Sequence, residues 1–202
     1  MEISFGKKIP VVQAGVYDKN KKEFVKATMY ELDGKDNSDI EYLESQNSNW
    51  GSLKYYILVS LIEKHSNLSS LFKPQQYKNI ISETQKFYTL EAEDGKSIGL
   101  CELNKYGTNN EIHLLECNLD KTYKFAGQTI LASIAKTLDD SPASTLTVNF
   151  PAKAAIDFYT KRCGFEPVAC DYTEFRMSNA QMKQFIKNVE TATKHELVDL
   201  KA

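Results

Sequence analysis

No apolar run in this chain approaches the roughly 18 residues that a membrane-spanning helix needs. Met1 to Pro10 is polar and carries no apolar stretch of the signal-peptide kind, so neither a span nor a secretory leader is expected. Cysteine is scarce. The four present (Cys101, Cys117, Cys163, Cys170) show no Cys-x-x-Cys spacing and sit in apolar runs. Buried free thiols in a reducing compartment follow, hence a cytoplasmic location and no metal site. A nucleophilic cysteine working with His113 has no local signature behind it. Charge of one sign is also lacking, with a net charge of −2. No basic field exists to attract nucleic acid or an anionic membrane, and neither is expected as a partner. The cluster Lys19-Asn20-Lys21-Lys22 reads as a solvated turn.

What is present is an ordinary globular chain of 202 residues, 42% hydrophobic and 26% charged, long enough for one domain with a sizeable core. Val11, Val12, Ala14 and Val16, then Phe24, Val25, Ala27 and Met29, flank a polar turn and predict a hairpin. Asp36 to Asn49 is polar and poorly periodic. Helical spacing of apolar residues predicts a helix from Trp50 to His65, followed by a loop over Asn67 to Lys73. From residue 85 the pattern is sharper. Strands are expected at Phe87 to Glu91, Ser97 to Leu103 and Glu111 to Leu119, with turns at Asp94-Gly95 and at Tyr106 to Asn110. A helix over Phe125 to Leu138, a strand over Leu146 to Phe150 and a helix over Ala152 to Cys163 come next, the last closed by Gly164. Val168 to Ser178 holds at least one more strand. A terminal helix with Met182, Phe185, Ile186 and Val189 on one face can pack on its own domain or on a second copy in a homodimer. This order predicts an α/β protein of the α+β kind, a mixed, mostly antiparallel central sheet with helices on its faces.

Two segments carry chemistry. The polar loop ahead of the helix at Phe125 leaves backbone N–H groups free at the positive end of a helix dipole, where a pyrophosphate can be held. The second segment is the strand and helix of Thr147 to Phe165, whose bland reading is buried core. Together, Thr122-Tyr-Lys-Phe-Ala-Gly-Gln-Thr-Ile-Leu131, Val148-Asn149 and Phe158-Tyr159-x-x-x-Gly164-Phe165 resemble the GCN5-related N-acetyltransferase (GNAT) superfamily over about residues 85 to 178. Gly127 matches the second glycine of that family's loop. Thr122 stands where the family usually has Arg or Gln, and Phe125 where it has Gly. If the first glycine is needed for positive φ, Phe125 has to adopt that conformation at a cost.

The resemblance implies a GNAT-like acyl-CoA N-acyltransferase fold in one domain. Residues 1–84 would form the acceptor side, 85–178 the acetyl-CoA-binding core, and 179–202 a C-terminal helix. It implies direct transfer from acetyl-CoA, as co-substrate, to a primary amine: a small molecule, a peptide lysine or an N-terminus. Lys124, Phe125, Ala126, Gly127, Gln128 and Thr129, with Leu115, Cys117 and Asn149, would line the acetyl-CoA site. Glu111 is matched to the general base, with His113 as its partner or substitute, and Tyr159 to the tyrosine that protonates the departing thiolate. By two-residue alternation Glu111, His113, Leu115 and Cys117 share a face, and Glu116 lies on the other unless a bulge intervenes. The six carboxylates from Glu31 to Glu44 would suit a cationic acceptor, although such a stretch is usually a solvated loop. A catalytically inactive GNAT-like binding module is the competing reading, favoured by Thr122 and Phe125. A charged-tRNA acceptor is disfavoured by the weak basic balance.

Overall fold

Alternating apolar residues broken by Asp18-Lys-Asn-Lys make the first unit. The computed structural model describes residues 8–32, 37–46, 50, 84–118, 122–138, 140–168 and 173–201. In it β1 (Ile9–Asp18) and β2 (Glu23–Leu32) form the expected antiparallel hairpin. Asp18 shapes the turn by accepting the amides of Asn20 and Lys21 at 2.8 and 3.2 Å.

After the hairpin, Asn37–Ser45 forms α1, a helix in the stretch whose sequence is polar and aperiodic. It forms because Tyr42 and Leu43 are buried, in a cluster with Leu32, Trp50, Phe87 and Leu100. Tertiary packing thus supplies what periodicity lacks. The helix expected from Trp50 to His65 and the loop after it lie outside the described residues, apart from the buried Trp50.

The antiparallel meander follows: β3 (Gln85–Ala92), β4 (Ser97–Tyr106) and β5 (Asn109–Cys117). Gly95 and Gly107 turn the chain between them with positive φ of 76° and 61°. Downstream come β6 (Tyr123–Lys124), α2 (Ala126–Lys136) and β7 (Thr145–Asn149).

The segment read as a helix from Ala152 to Cys163 is less regular. It opens with a 3-10 turn at Lys153–Ala155 and ends in a π-helical turn at Phe158–Cys163, closed by Gly164 at φ 83°. Then come β8 (Glu166–Pro167), β9 (Glu174–Ser178), α3 (Asn179–Thr193) and β10 (Val198–Asp199). Ser178 and Gln181 cap α3 reciprocally. Met182, Phe185 and Val189 of α3 are buried within this chain, in the same cluster as Ile130 and Ile134 of α2. No described helix is long and apolar enough to cross a membrane.

The ten strands among the described residues form one sheet in the order β10-β1-β2-β3-β4-β5-β7-β9-β8, with β6 on β1. Among the described residues every pairing is antiparallel except β5 with β7, which is parallel. The larger core cluster lies between one face and helices α2 and α3, and the smaller one lies on the face beneath α1. The acidic stretch is partly built in. Glu31 accepts from Lys86 at 2.7 Å and Lys201 at 2.5 Å, and Asp39 is buried. Burial opposes ionisation of Glu31, but the hydrogen bonds from Lys201 and Lys86 outweigh it and hold the carboxyl below its ordinary range.

Gly15 fixes how the C-terminus closes on β1. A Cβ there would lie 2.5 to 2.6 Å from the His195 side chain, and the Gly15 carbonyl accepts the Thr129 hydroxyl at 3.0 Å. Gly15→Ala therefore has to displace His195, whose Nδ1 is bonded to the Thr193 carbonyl at 2.9 Å. Overpacking of this kind costs about 1–3 kcal/mol. Urea unfolding should show that loss, and Gly15→Ala/His195→Ala should recover part of it.

Candidate active site

The site begins where β6 runs into α2. Phe125 caps the helix with φ 70° and ψ −2°, the left-handed conformation that a glycine adopts freely. The backbone therefore keeps the shape the loop requires, although the side chain is one that rarely takes it. Thr129 supplies the first amide to close back on the helix, donating to the Phe125 carbonyl at 2.8 Å. The amides of Ala126, Gly127 and Gln128 precede it, in the turn where a helix leaves N–H groups unbonded.

These residues line a cleft of about 370 Å³ together with Lys19, Cys117, Asn118, Tyr123, Lys124, Phe158 and Arg162. Among the described residues that line it, three are cationic and none is acidic. Lys19 belongs to the turn read as solvated. Its amide donates to the Thr122 carbonyl at 3.0 Å, which pins the first hairpin to the loop. Arg162 arrives from the π-helical turn, and its carbonyl accepts from Gln128 Nε2 at 3.3 Å. Neither cation could be placed from sequence, because each reaches the cleft through pairing between distant elements. Three cations and the helix amides at one mouth fit a diphosphate ester such as coenzyme A.

Of the residues expected at the cofactor loop, Thr129 does not line the cleft; its side chain is fully buried and donates to the Gly15 carbonyl. Gly127 is where backbone must come close: a Cβ would stand 3.0 Å from Phe158 Cζ and 3.2 Å from Cys117 Sγ. Relieving Phe125 should have a modest effect. Phe125→Gly removes left-handed strain of about 1 kcal/mol but adds unfolded-state freedom of about 0.5–1 kcal/mol. Stability should therefore change little, which urea unfolding of the variant checks.

From the cleft, β5 leads to the point where its ladder with β7 ends. β5 and β7 pair from Asn109↔Thr145 to Ile112↔Val148, and there the ladder ends. β5 continues on β4 to Cys117, while the chain beyond β7 bends at Phe150, which has φ 47°. The strands part at that point.

A bulge overturns the expected alternation. Leu103 pairs with Ile112 and Glu102 with Leu114, leaving His113 as an extra residue. Ile112, Leu115 and Cys117 consequently belong to the α2 face, and Leu114 packs in the α1-face cluster. Glu111, His113, Leu115 and Cys117 do not share a face. Glu111 and Glu116 do, since the added residue inverts the phase between them. Glu111 Oε1 accepts from Asn149 Nδ2 at 2.9 Å, so these two expected site residues meet each other at the parting of the strands. His113 is exposed in the bulge.

Tyr159 lies on the opposite face, buried among Phe158 and Phe165 with ring centroids 5.2 and 5.6 Å away. Burial, and then the neighbouring thiols of Cys101, Cys163 and Cys117, push its hydroxyl well above the ordinary tyrosine value. Cys117 is itself pushed up to about 11, by burial and then by Glu116, so it is a thiol at neutral pH. Sequence reasoning also passed over Glu102. It is 2% exposed, and its one visible signal is a carboxylate in the middle of an otherwise apolar strand, Ile98 to Leu103.

No family model and no curated protein matches the sequence. Solved structures do. A structure of a mutant AtaT toxin, bound to the C-terminus of the antitoxin AtaR and acetyl-CoA, matches with a TM-score of 0.51 at 14% identity. That match covers 80% of this chain and 98% of the other. A putative acetyltransferase of the GNAT family from Desulfovibrio desulfuricans matches with a TM-score of 0.51 at 10% identity, over 76% of this chain and 99% of the other. The chain has the fold of the GNAT acetyltransferases.

Proposed function

We propose that this protein transfers an acetyl group from acetyl-CoA to a primary amine. One observation carries the reading: the cationic, amide-lined cleft at the start of α2 leads to the place where β5 and β7 part. A diphosphate seated at Ala126 to Gln128 would direct the pantetheine arm along β5, past Cys117 and Leu115. The thioester would then lie in the gap, with Tyr159 on one face and Glu111 and His113 toward the other.

The chemistry asks for little more. An alkylammonium with a pKa of about 10.4 is almost wholly protonated at neutral pH and has to lose a proton before it attacks. Glu111 and His113 stand at the gap to receive it, through water or directly. The amine nitrogen bonds to the carbonyl carbon as the C–S bond breaks, and Tyr159 donates its proton to the sulfur. Glu111 and Glu116 on the acceptor face suit a cationic acceptor, either a small amine or a lysine or N-terminus of a peptide.

The test is thermal. Acetyl-CoA at a hundred times its Kd stabilises the native state by about 2.7 kcal/mol. For a chain of this size that is roughly 5–10 °C in Tm. A panel of small amines and peptides, read by released thiol, then identifies the acceptor class. A melting temperature unmoved by millimolar acetyl-CoA would sink the reading. A shift without thiol release for any amine would leave a binding module in its place.

A further inference from the structure

Glu102 is set among apolar groups that do nothing for a carboxyl. It pairs directly with Phe87 on β3 and Leu114 on β5, both members of the smaller core cluster. Gln85 Nε2 donates to its Oε1 at 2.6 Å, whereas Oε2 is buried without any hydrogen-bond partner among the described residues. A leucine or glutamine would fill this place at less cost, because an incompletely bonded carboxyl is expensive to desolvate.

Position suggests why an acid stands here. Glu102 and Leu103 are the β4 residues across from the bulge, and the bulge residue is His113. His113 is exposed at the level where β5 and β7 part. We propose that Glu102 is the positioning partner of His113, a buried carboxyl whose unbonded oxygen is placed to orient and polarise the imidazole as it takes the proton of the incoming amine. This rests on the acetyl-transfer reading and names a residue of the same site. The proton account closes. An ammonium acceptor sheds two protons on becoming an amide: His113 passes one to solvent, and the other balances the one that Tyr159 gives to sulfur and recovers.

The groups facing Glu102 are few. Burial raises its pKa, and the Gln85 hydrogen bond and then the charge of His113 lower it in part. Cys101, its neighbour in the chain, points to the other face and is raised, first by its own burial and then by Glu102. His113 is thus the one charged partner acting on this carboxyl among the described residues.

Two measurements on the full chain test the assignment. Carbon-13 titration of the glutamate carboxyls should show Glu102 titrating above the ordinary range, and further upward in His113→Gln. This needs neither cofactor nor acceptor. An identical Glu102 titration in the two proteins would overturn the pairing whether or not the chain is an acetyltransferase. The second measurement is the pH profile of thiol release with the best amine of the panel. Glu102→Gln is isosteric and removes a charge from an apolar cluster, so its Tm should hold or rise. Turnover should nonetheless fall tenfold or more, with the acid limb of the profile displaced. An unchanged profile would make Glu102 a structural residue only.

Discussion

Tyr159→Phe should lower the rate of thiol release by about 10²–10⁴-fold, the range associated with losing a positioned acid, while leaving the melting temperature unchanged. The contrast follows from what the side chain touches. Its ring packs edge-on against Phe158 and Phe165, and phenylalanine keeps those contacts. Its hydroxyl makes no hydrogen bond among the described residues, so removing it leaves no orphaned partner. A tyrosine serving only as core would therefore tolerate the substitution or gain from it. A pKa raised by burial also keeps the phenol protonated across the neutral range, as a proton donor to a thiolate must be. Steady-state kinetics at saturating acetyl-CoA alongside a thermal melt separate the two roles. Equal turnover in the two proteins would remove Tyr159 from the chemistry.

The sheet was readable because most of its strands announce themselves. Val11 to Val16 and Phe24 to Met29 alternate, and Asp94-Gly95 and Gly107 mark the meander. Three features were less legible, for different reasons. Helix α1 packs Tyr42 and Leu43 against Trp50, Phe87 and Leu100, so its stability resides in tertiary contacts that no local period records. The bulge left a trace, since Ile112 and Leu114 alternate but Leu115 follows directly, a phase slip inside one strand. Reading that slip would have moved Glu116 to the Glu111 face. Lys19 and Arg162 left no trace at all. Their place at the cleft depends on β6 pairing with β1 and on the winding of the π-helical turn, and neither is a property of their neighbours in sequence. Phe125 is the opposite case: the departure from the family pattern was visible, and the backbone answers it by holding the left-handed conformation regardless.

Gly127 is the position where substitution should do most to ligand binding. Its missing side chain brings the first turn of α2 against Phe158 and Cys117, so a cofactor's phosphates can reach the amides. Alanine there asks Phe158 and Cys117 to give by a few tenths of an ångström. Phe158 is only partly buried and can comply, so Gly127→Ala should weaken acetyl-CoA less than tenfold. Valine adds two carbons beyond that Cβ, directed either into the aromatic ring or into the cleft. The first choice carries an overpacking cost of about 1–3 kcal/mol, and the second fills the space a diphosphate needs. Gly127→Val should therefore abolish the Tm shift given by acetyl-CoA, equivalent to about a hundredfold or greater loss of affinity. Calorimetric titration of the folded variant checks it. Wild-type affinity in Gly127→Val would mean that the ligand does not approach the mouth of α2, and the amide-lined cleft would lose its claim to the cofactor.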